Sequence, residues 1–181
     1  MHFVEMRGGI EMKKLFKKII VLVIVLVVAR IAFGLFFGTK TAEIGDKINF
    51  INEGEVVVHD ISLKKRSDLI FTNLSNLKFA LDDDEGAVLV YYTYENIGKS
   101  DRGIYADDIT VDYNDGVRYE GELLYLKTPS GDYKLFENGV LLEKVTSDPT
   151  DFMTVVPVPV EVLEDDAPLI VKMYNVKFKV R

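Results

Sequence analysis

The side chains of this sequence best suited to chemistry are carboxylates that stand in short runs. One run of four precedes an apolar stretch, and two more aspartates bracket the segment Asp-Tyr-Asn-Asp. Calcium in proteins takes several oxygen ligands, mostly from loops, so these groups are candidate calcium ligands. They are Asp82, Asp83, Asp84, Glu85, Asp112 and Asp115. The segment after Asp112 lacks the further ligands and the closing glutamate of an EF-hand loop. The favoured interpretation is therefore solvated acidic turns, with no metal and no cofactor.

The sequence lacks the common catalytic motifs GxSxG and HExxH. His59 is the one histidine after His2. It could act as a general base or a metal ligand, but it has no nearby His or Cys and is more simply a partly exposed strand residue. Adjacent carboxylates in a strand point to opposite faces and do not converge as an acid/base pair. We therefore expect a protein that is not an enzyme, with an envelope hydrolase as the remaining catalytic alternative.

Basic residues cluster at only one place beyond residue 42, at Lys64, Lys65 and Arg66. Such a cluster could contact a protein or an anionic cell-envelope partner, including lipid headgroups if the domain lies close to a membrane. The competing interpretation is a solvated turn at the end of a strand.

An apolar segment near the N-terminus predicts a membrane anchor. Residues 19–37 are interrupted by a single charge, Arg30. As a helix this segment would extend about 28 Å, close to the hydrocarbon thickness of a bilayer. The lysines before it favour a cytoplasmic N-terminus and an extracellular C-terminal domain. These orienting residues are Lys13, Lys14, Lys17 and Lys18.

Two alternatives concern this N-terminal segment. Small residues at Ala29 and Ala32 could form a signal-peptide cleavage site, which would release the remainder as a secreted protein. Arg30 favours cleavage because an arginine near the middle of a span costs about 2.5–3.5 kcal/mol. The apolar residues after Arg30 favour an uncleaved signal anchor. The initiating residue could be Met1 or Met12, since MKKLFKK is typical of exported N-termini.

The charge of −7 averages two different parts of the chain. Residues 1–42 carry seven basic and two acidic side chains, whereas residues 43–181 carry 15 basic and 27 acidic ones. The net −12 of the larger part argues against nucleic-acid binding, which requires a basic surface. The sequence contains no cysteine, which excludes disulfides, thiolate zinc sites and lipid attachment through cysteine.

Alternating apolar and polar residues from Glu43 onward predict an all-β domain. Residues 54–64 and 86–95 predict strands, and the second, apolar on both faces, predicts a central one. Residues 109–120 predict a hairpin around Asn-Asp-Gly. Pro157 and Pro159 predict an edge strand or an irregular crossing. Residues 176–180 predict a half-buried final strand, with Lys177, Lys179 and Arg181 outward. Seven to nine strands favour an antiparallel sandwich, with helix limited to about one turn within residues 67–80.

Several of these segments carry a resemblance to a bacterial family of exported domains of unknown function. The segments are Gly45-Asp46-Lys47, strand 86–95 ending in Glu-Asn-Ile-Gly, the hairpin Asp112 to Tyr119, Val156-Pro157, and Asp165 to Pro168 before a final strand. That family resembles the immunoglobulin-like fold of secreted immunoprotective antigens. The resemblance covers about residues 43–181 and implies a fold and an exported location, without any catalytic residue.

The sequence thus predicts an antiparallel immunoglobulin-like β-sandwich preceded by one transmembrane helix. The predicted parts are a cytoplasmic basic N-terminus (1–18), a signal anchor (19–37), a tether (38–46) and an extracytoplasmic domain (47–181). We expect a binding or structural module at a bacterial cell surface. The alternatives are a secreted antigen-like or inhibitor domain and, less simply, the envelope hydrolase.

Overall fold

The structure is a computed structural model that divides the chain into two units, Met1–Thr39 and Lys40–Arg181. It describes residues 16, 18–30, 39–50, 54–71, 81–95, 105–114, 116–136 and 148–181. In the first unit, residues 18–30 form helix α1. None of the helices in the described ranges is long and apolar enough to cross a bilayer. The remainder of the predicted anchor, residues 31–37, and the orienting lysines Lys13, Lys14 and Lys17 lie outside those ranges.

The second unit is a sandwich of two β-sheets, as the alternation predicts. Sheet A has the strand order β1 (Lys40–Ala42), β11 (Val176–Lys179), β10 (Leu169–Met173), β5 (Ile109–Tyr113) and β6 (Val117–Glu120). Sheet B has the order β2 (Lys47–Phe50), β3 (Gly54–Lys65), β4 (Glu85–Glu95), β9 (Thr150–Pro159), β7 (Leu123–Lys127) and β8 (Tyr133–Phe136). All neighbouring strands are antiparallel except β1 and β11, which are parallel. The described ranges thus hold eleven strands rather than seven to nine.

The main core lies between the two sheets and is built on β4. Val88, Val90 and Tyr92 point inward and are fully buried. They face residues of sheet A such as Val111 and Val171, which are also fully buried. Burying a side chain of this size contributes about 1.5–3 kcal/mol. The sequence prediction of a central β4 is confirmed.

A second apolar cluster covers the outer face of sheet B. Alternate residues of β4, β9 and β7 point to this face, and they are buried together with Leu69 and Leu81. Leu69 comes from the 3-10 helix Arg66–Phe71, which overlaps the range 67–80 in which about one helical turn was predicted. The strand members of the cluster are Ala87, Leu89, Tyr125, Met153 and Val155. Sheet B is therefore apolar on both faces over this region.

The predicted hairpin is confirmed, with Thr110 opposite Glu120 and Tyr113 opposite Val117. The structure has Asn114 at φ 47°, a conformation that asparagine adopts more readily than most residues. Gly116 closes the turn by donating its N–H to the carbonyl of Tyr113 at 3.3 Å.

The prediction that the proline-containing segment is an edge strand is wrong for the first half of β9. Strand β9 lies between β4 and β7 in sheet B. However, β7 pairs with β9 only from Phe152 to Val155, whereas β4 pairs with it as far as Pro159. Residues two apart send their N–H groups to the same side. The two prolines therefore lack donors on the side that β7 has already left, so no ladder bond is lost.

Helix α2 (Val160–Glu164) follows β9 directly and is not among the sequence predictions. Arg181 was predicted to point outward, which is wrong. Its guanidinium donates to the carbonyl oxygens of Val162, Leu163 and Ala167. A cation at the C-terminal end of a helix satisfies carbonyls that have no partner within the helix. These hydrogen bonds from Arg181 therefore stabilise the C-terminal end of this short helix.

Gly121, between β6 and β7, permits a close approach of the chain to the 3-10 helix Ala106–Asp108. A Cβ atom there would overlap the carbonyl oxygen of Ala106 and lie 2.8 Å from Thr154 Cγ2. We expect Gly121→Ala to lower the free energy of unfolding by about 1–3 kcal/mol. Urea denaturation followed by circular dichroism measures the change.

Gly116→Ala is the matched control, because the nearest atom to a Cβ there is 3.9 Å away. We expect a change within about 0.5 kcal/mol for the control. Equal effects of the two substitutions would contradict the assignment of Gly121 as a packing position.

Candidate functional site

A hydrogen-bonded row crosses four strands on the outer face of sheet B. Strand β3 has a bulge between Val58 and Asp60, and the extra residue, His59, is exposed. Its Nε2 atom lies 2.5 Å from Thr93 Oγ1. Bulges often redirect a side chain in this way. Thr93 donates its hydroxyl proton to Asp151 Oδ1 at 2.6 Å, and Lys127 Nζ donates to Asp151 Oδ2 at 3.2 Å. We call His59, Thr93, Asp151 and Lys127 the polar row.

The direction of these hydrogen bonds limits what the polar row can do. A hydroxyl has one proton, and that of Thr93 is given to Asp151. His59 must then donate to Thr93 from Nε2, so it does not accept the threonine proton as a general base would. The hydrogen bond from Thr93 lowers the pKa of Asp151 below its usual value, and Lys127 adds to this against the opposing effect of burial. A carboxylate with a lowered pKa is a weaker base.

Two tyrosines flank the polar row. Tyr91 and Tyr133 meet edge to face, with ring centroids 5.8 Å apart and planes at 68°. Tyr133 pairs with Lys127 in the β7–β8 ladder. Burial raises the pKa of Tyr91 and of Tyr133, so both stay neutral at physiological pH. The half-buried rings lie between the polar row and the apolar cluster of sheet B.

The outer face of sheet A carries a basic group of side chains in an otherwise acidic domain. Asp112 is at its centre and accepts Arg118 Nε at 3.0 Å and the ammonium of Lys172. Lys177 lies directly opposite Lys172 in the β10–β11 ladder, and Lys179 is two residues further along. We call Arg118, Lys172, Lys177 and Lys179 the basic face. The same surface also carries two acids, Asp112 and Glu120, so these four cations are opposed by two carboxylates.

Burial has the largest single effect on Asp112 and would raise its pKa. The hydrogen bonds from Lys172 and Arg118 outweigh it, and the pKa is lowered overall. Asp112 therefore remains ionised and holds two of the four cations. Within the described ranges, neither Lys177 nor Lys179 forms an ion pair.

A cavity of about 330 Å³ opens on the basic face. Its charged lining comes from Asp112, Arg118 and Lys177, and its apolar lining from Val117, Pro168 and Ile170, with Gly116 between. The volume is near the lower end of the range for small-molecule sites, about 300–1,000 Å³. The residues that build the cavity are distant in sequence. The β5–β10 and β10–β11 pairings bring residues 112–118 and 168–177 together.

The candidate calcium ligands do not come together in the structure. Asp83 pairs with Arg66, and Glu85 Oε2 accepts the backbone N–H of Asp82 at 2.9 Å. Asp112 lies on the other sheet, and Asp115 is outside the described ranges. Across the described ranges, no three His, Asp or Glu side chains are grouped so that they could hold a metal ion.

Two members of the predicted partner-contact cluster form ion pairs within the chain. Lys65 Nζ lies 2.5 Å from Glu164 Oε1 and so links β3 to α2. Arg66 contacts Asp83 in the acidic turn. Lys64 precedes them at the end of β3. These contacts give Lys65 and Arg66 a role in joining elements, and the stronger basic surface is on sheet A.

Comparison with known proteins indicates the fold alone. No family model and no curated protein matches the chain. A solved structure that it resembles is an uncharacterized beta-sandwich protein from Clostridium difficile 630, with a TM-score of 0.52 and 16% sequence identity. The match covers 78% of this chain and 94% of that one. This likeness supports the β-sandwich and carries no information on a ligand.

His59 was a candidate from the sequence, whereas Thr93, Asp151 and Lys127 were not. The register of β4 against β9 places Thr93 opposite Asp151, and no local pattern gives that register. The basic face had a partial signal, since alternation in residues 176–180 indicates that Lys177 and Lys179 share a face. Their proximity to Arg118 and Lys172 required the order of strands in sheet A.

The polar row makes a prediction about the titration of Asp151. Thr93→Val keeps the shape of the side chain and removes its donor, so the pKa of Asp151 rises towards the ordinary value. NMR titration of the aspartate carboxyl carbons measures this. We also expect a loss of about 0.5–1 kcal/mol at neutral pH, because one partly exposed hydrogen bond is removed.

The pH dependence has a defined sign. A lowered pKa in the folded state gives stability above the ordinary aspartate pKa, and that stability is lost as the pH falls through the lowered value. The Thr93→Val variant should therefore lose less stability on acidification than the wild type. Thr110→Val on sheet A is the control and should leave Asp151 unchanged. An unchanged Asp151 pKa in Thr93→Val would contradict the hydrogen-bond assignment.

Proposed function

We propose that this chain is a binding module without catalytic activity, held at a bacterial membrane by its N-terminal apolar segment and displayed outside the cytoplasm. The observation that supports the proposal is the exposure of the apolar side chains of helix α1. All ten side chains from Ile19 to Val28 are apolar, and each is 46–60% exposed. A helix that is apolar all round is stable when lipid or protein covers it.

The length of the segment sets a condition for this anchor. The 13 residues 18–30 of helix α1 span about 20 Å, which is less than the ~30 Å of the hydrocarbon layer. Anchoring therefore requires the helix to continue through residues 31–37, which are apolar in sequence. The lysines on the N-terminal side favour a cytoplasmic N-terminus. The alternative is cleavage of this segment and release of a secreted antigen-like or inhibitor domain.

The strand order supports an immunoglobulin-like fold for the displayed domain. In the immunoglobulin fold, one sheet has strands in the order A, B, E and D, and the other has C, F and G, with C′ beside C. Strands β3, β4, β9 and β7 follow the first order. Strands β6, β5, β10 and β11 follow C′, C, F and G. Domains of this architecture present loops and sheet faces to partners, which agrees with a binding role.

The chemistry of the polar row favours binding over catalysis. His59 donates to Thr93, and Thr93 donates to a carboxylate whose pKa is lowered. This arrangement places no general base to take the threonine proton, and the lowered pKa makes Asp151 a weaker base. The envelope hydrolase therefore has less support than a non-covalent partner, which we propose to be a protein or a cell-envelope component.

Fractionation of cells that express the full chain tests the anchor. We expect the protein in the membrane pellet, resistant to salt and released by detergent, with the β-sandwich accessible to protease outside the cell. Val23→Lys with Leu26→Lys should abolish retention, because each central lysine costs about 2.5–3.5 kcal/mol on insertion. Arg30→Leu should preserve or strengthen it.

Recovery from the medium of a chain shortened by about 30 residues would identify the secreted alternative. A full-length chain in the soluble fraction would contradict both versions. The Arg30→Leu variant is the matched control, since it alters the same segment in the direction opposite to the lysine substitutions.

A further inference from the structure

The basic face holds two like charges in an unfavourable position. Lys172 and Lys177 are directly opposite each other in an antiparallel ladder. Like charges at such positions destabilise a sheet. Asp112 compensates Lys172 through an ion pair, but the ion pairs of the described residues include no acid for Lys177. The position of Lys177 is thus unfavourable for the fold, and a bound anion would relieve it.

Lys177 lines the cavity of the basic face together with Arg118. The Nε–H of Arg118 is used by Asp112. The Nη groups of the same guanidinium form no hydrogen bond with other described residues and retain four N–H donors. Two cationic side chains on one cavity, one a planar fork and the other an ammonium, suit a carboxylate or phosphate oxygen pair.

Apart from Asp112, whose carboxylate pairs with Arg118 and Lys172, the other lining residues are apolar or glycine. Val117, Ile170 and Pro168 contribute to the same cavity. An inorganic ion would leave this surface in contact with water. An anion attached to an apolar stem would cover it, which adds about 25 cal/mol for each Å² removed from water.

The acidity of the domain does not oppose such a ligand. Salt screens charges beyond about 8 Å at physiological ionic strength. The local balance of four cations and two acids on the basic face therefore determines the potential at the cavity. The net −12 of residues 43–181 instead reflects acids spread over other surfaces.

We propose that this cavity binds a small organic anion, a carboxylate or phosphate on an apolar stem. Lys177 and Arg118 hold the anionic oxygens, and the stem packs against Val117 and Ile170. The inference deepens the proposed binding role and rests on it, but it does not depend on the membrane anchor.

The test uses the full chain in nanodiscs of zwitterionic lipid and follows backbone amide shifts of Gly116, Ile170 and Lys177 by NMR. The probes are benzoate, phenyl phosphate, the neutral isostere benzamide, and acetate, which lacks the apolar ring. We expect benzoate or phenyl phosphate to bind at least about tenfold more tightly than benzamide and acetate, and more weakly as salt is added. A preference between the first two identifies the acid.

Lys177→Gln should weaken binding of the aromatic anion by about tenfold or more, since an ion pair and a hydrogen bond are lost. Its melting temperature should be the same as that of the wild type or about 1 °C higher, because the repulsion from Lys172 is removed. Lys134→Gln, on β8 of sheet B, is the matched control and should bind as the wild type does.

Three results would overturn the assignment of the ligand class. They are equal affinities for benzoate and benzamide, unchanged binding by Lys177→Gln, and no amide shifts with any probe up to about 10 mM. Those results would leave the fractionation of the chain unaffected. The failure of this inference is therefore distinguishable from failure of the membrane-anchored module.

Discussion

The antiparallel register of β4 against β9 determines the arrangement of the whole sandwich. It sets Tyr92 opposite Phe152, with the rings stacked at 5.8 Å, and Thr93 opposite Asp151. Inside, the Tyr92 hydroxyl meets the Thr154 hydroxyl at 3.1 Å, and both side chains are fully buried. A slip of one residue would turn every inward side chain of a strand to the opposite face. It would also leave these two hydroxyls without partners, which costs about 1–3 kcal/mol for each.

The strand registers within each sheet assign different chemistry to the two outer faces. On sheet B, odd-numbered residues of β4 and β9 continue from a buried apolar cluster into the polar row. On sheet A, the β5–β10 pairing brings Asp112 to Lys172 and leaves Lys177 beside them without an acid in the described ranges. The polar row is closed because neighbouring side chains along the row pair a hydrogen-bond donor with an acceptor. The basic face is open because its cations outnumber its acids.

Local patterns in the sequence were sufficient for β4, for the β5–β6 hairpin and for β11, but not for all eleven strands of the described ranges. The apolar alternation of β4, the turn after Tyr113 and the paired apolar residues Val176 and Phe178 all have short-range causes. The positions of Pro157 and Pro159 correctly indicated a side without ladder bonds, but not that the first half of β9, which precedes them, lies between β4 and β7. The functional groupings depended on pairings between distant segments, such as Thr93 with Asp151, and no single-sequence pattern contains that information. Helix α2 was missed because its end is stabilised by Arg181, seventeen residues after Glu164.

Strand β1 has a mechanical consequence for an anchored domain. It is three residues long, pairs in parallel with β11 and begins with Lys40 donating to the carbonyl of Asn175 at 2.8 Å. Parallel pairing is slightly weaker per residue than antiparallel pairing, and short edge elements open at low free energy. Tension applied through the residues before Lys40 would therefore detach β1 first. The core sheets would remain intact, and the freed strand would lengthen the connection by about 10 Å.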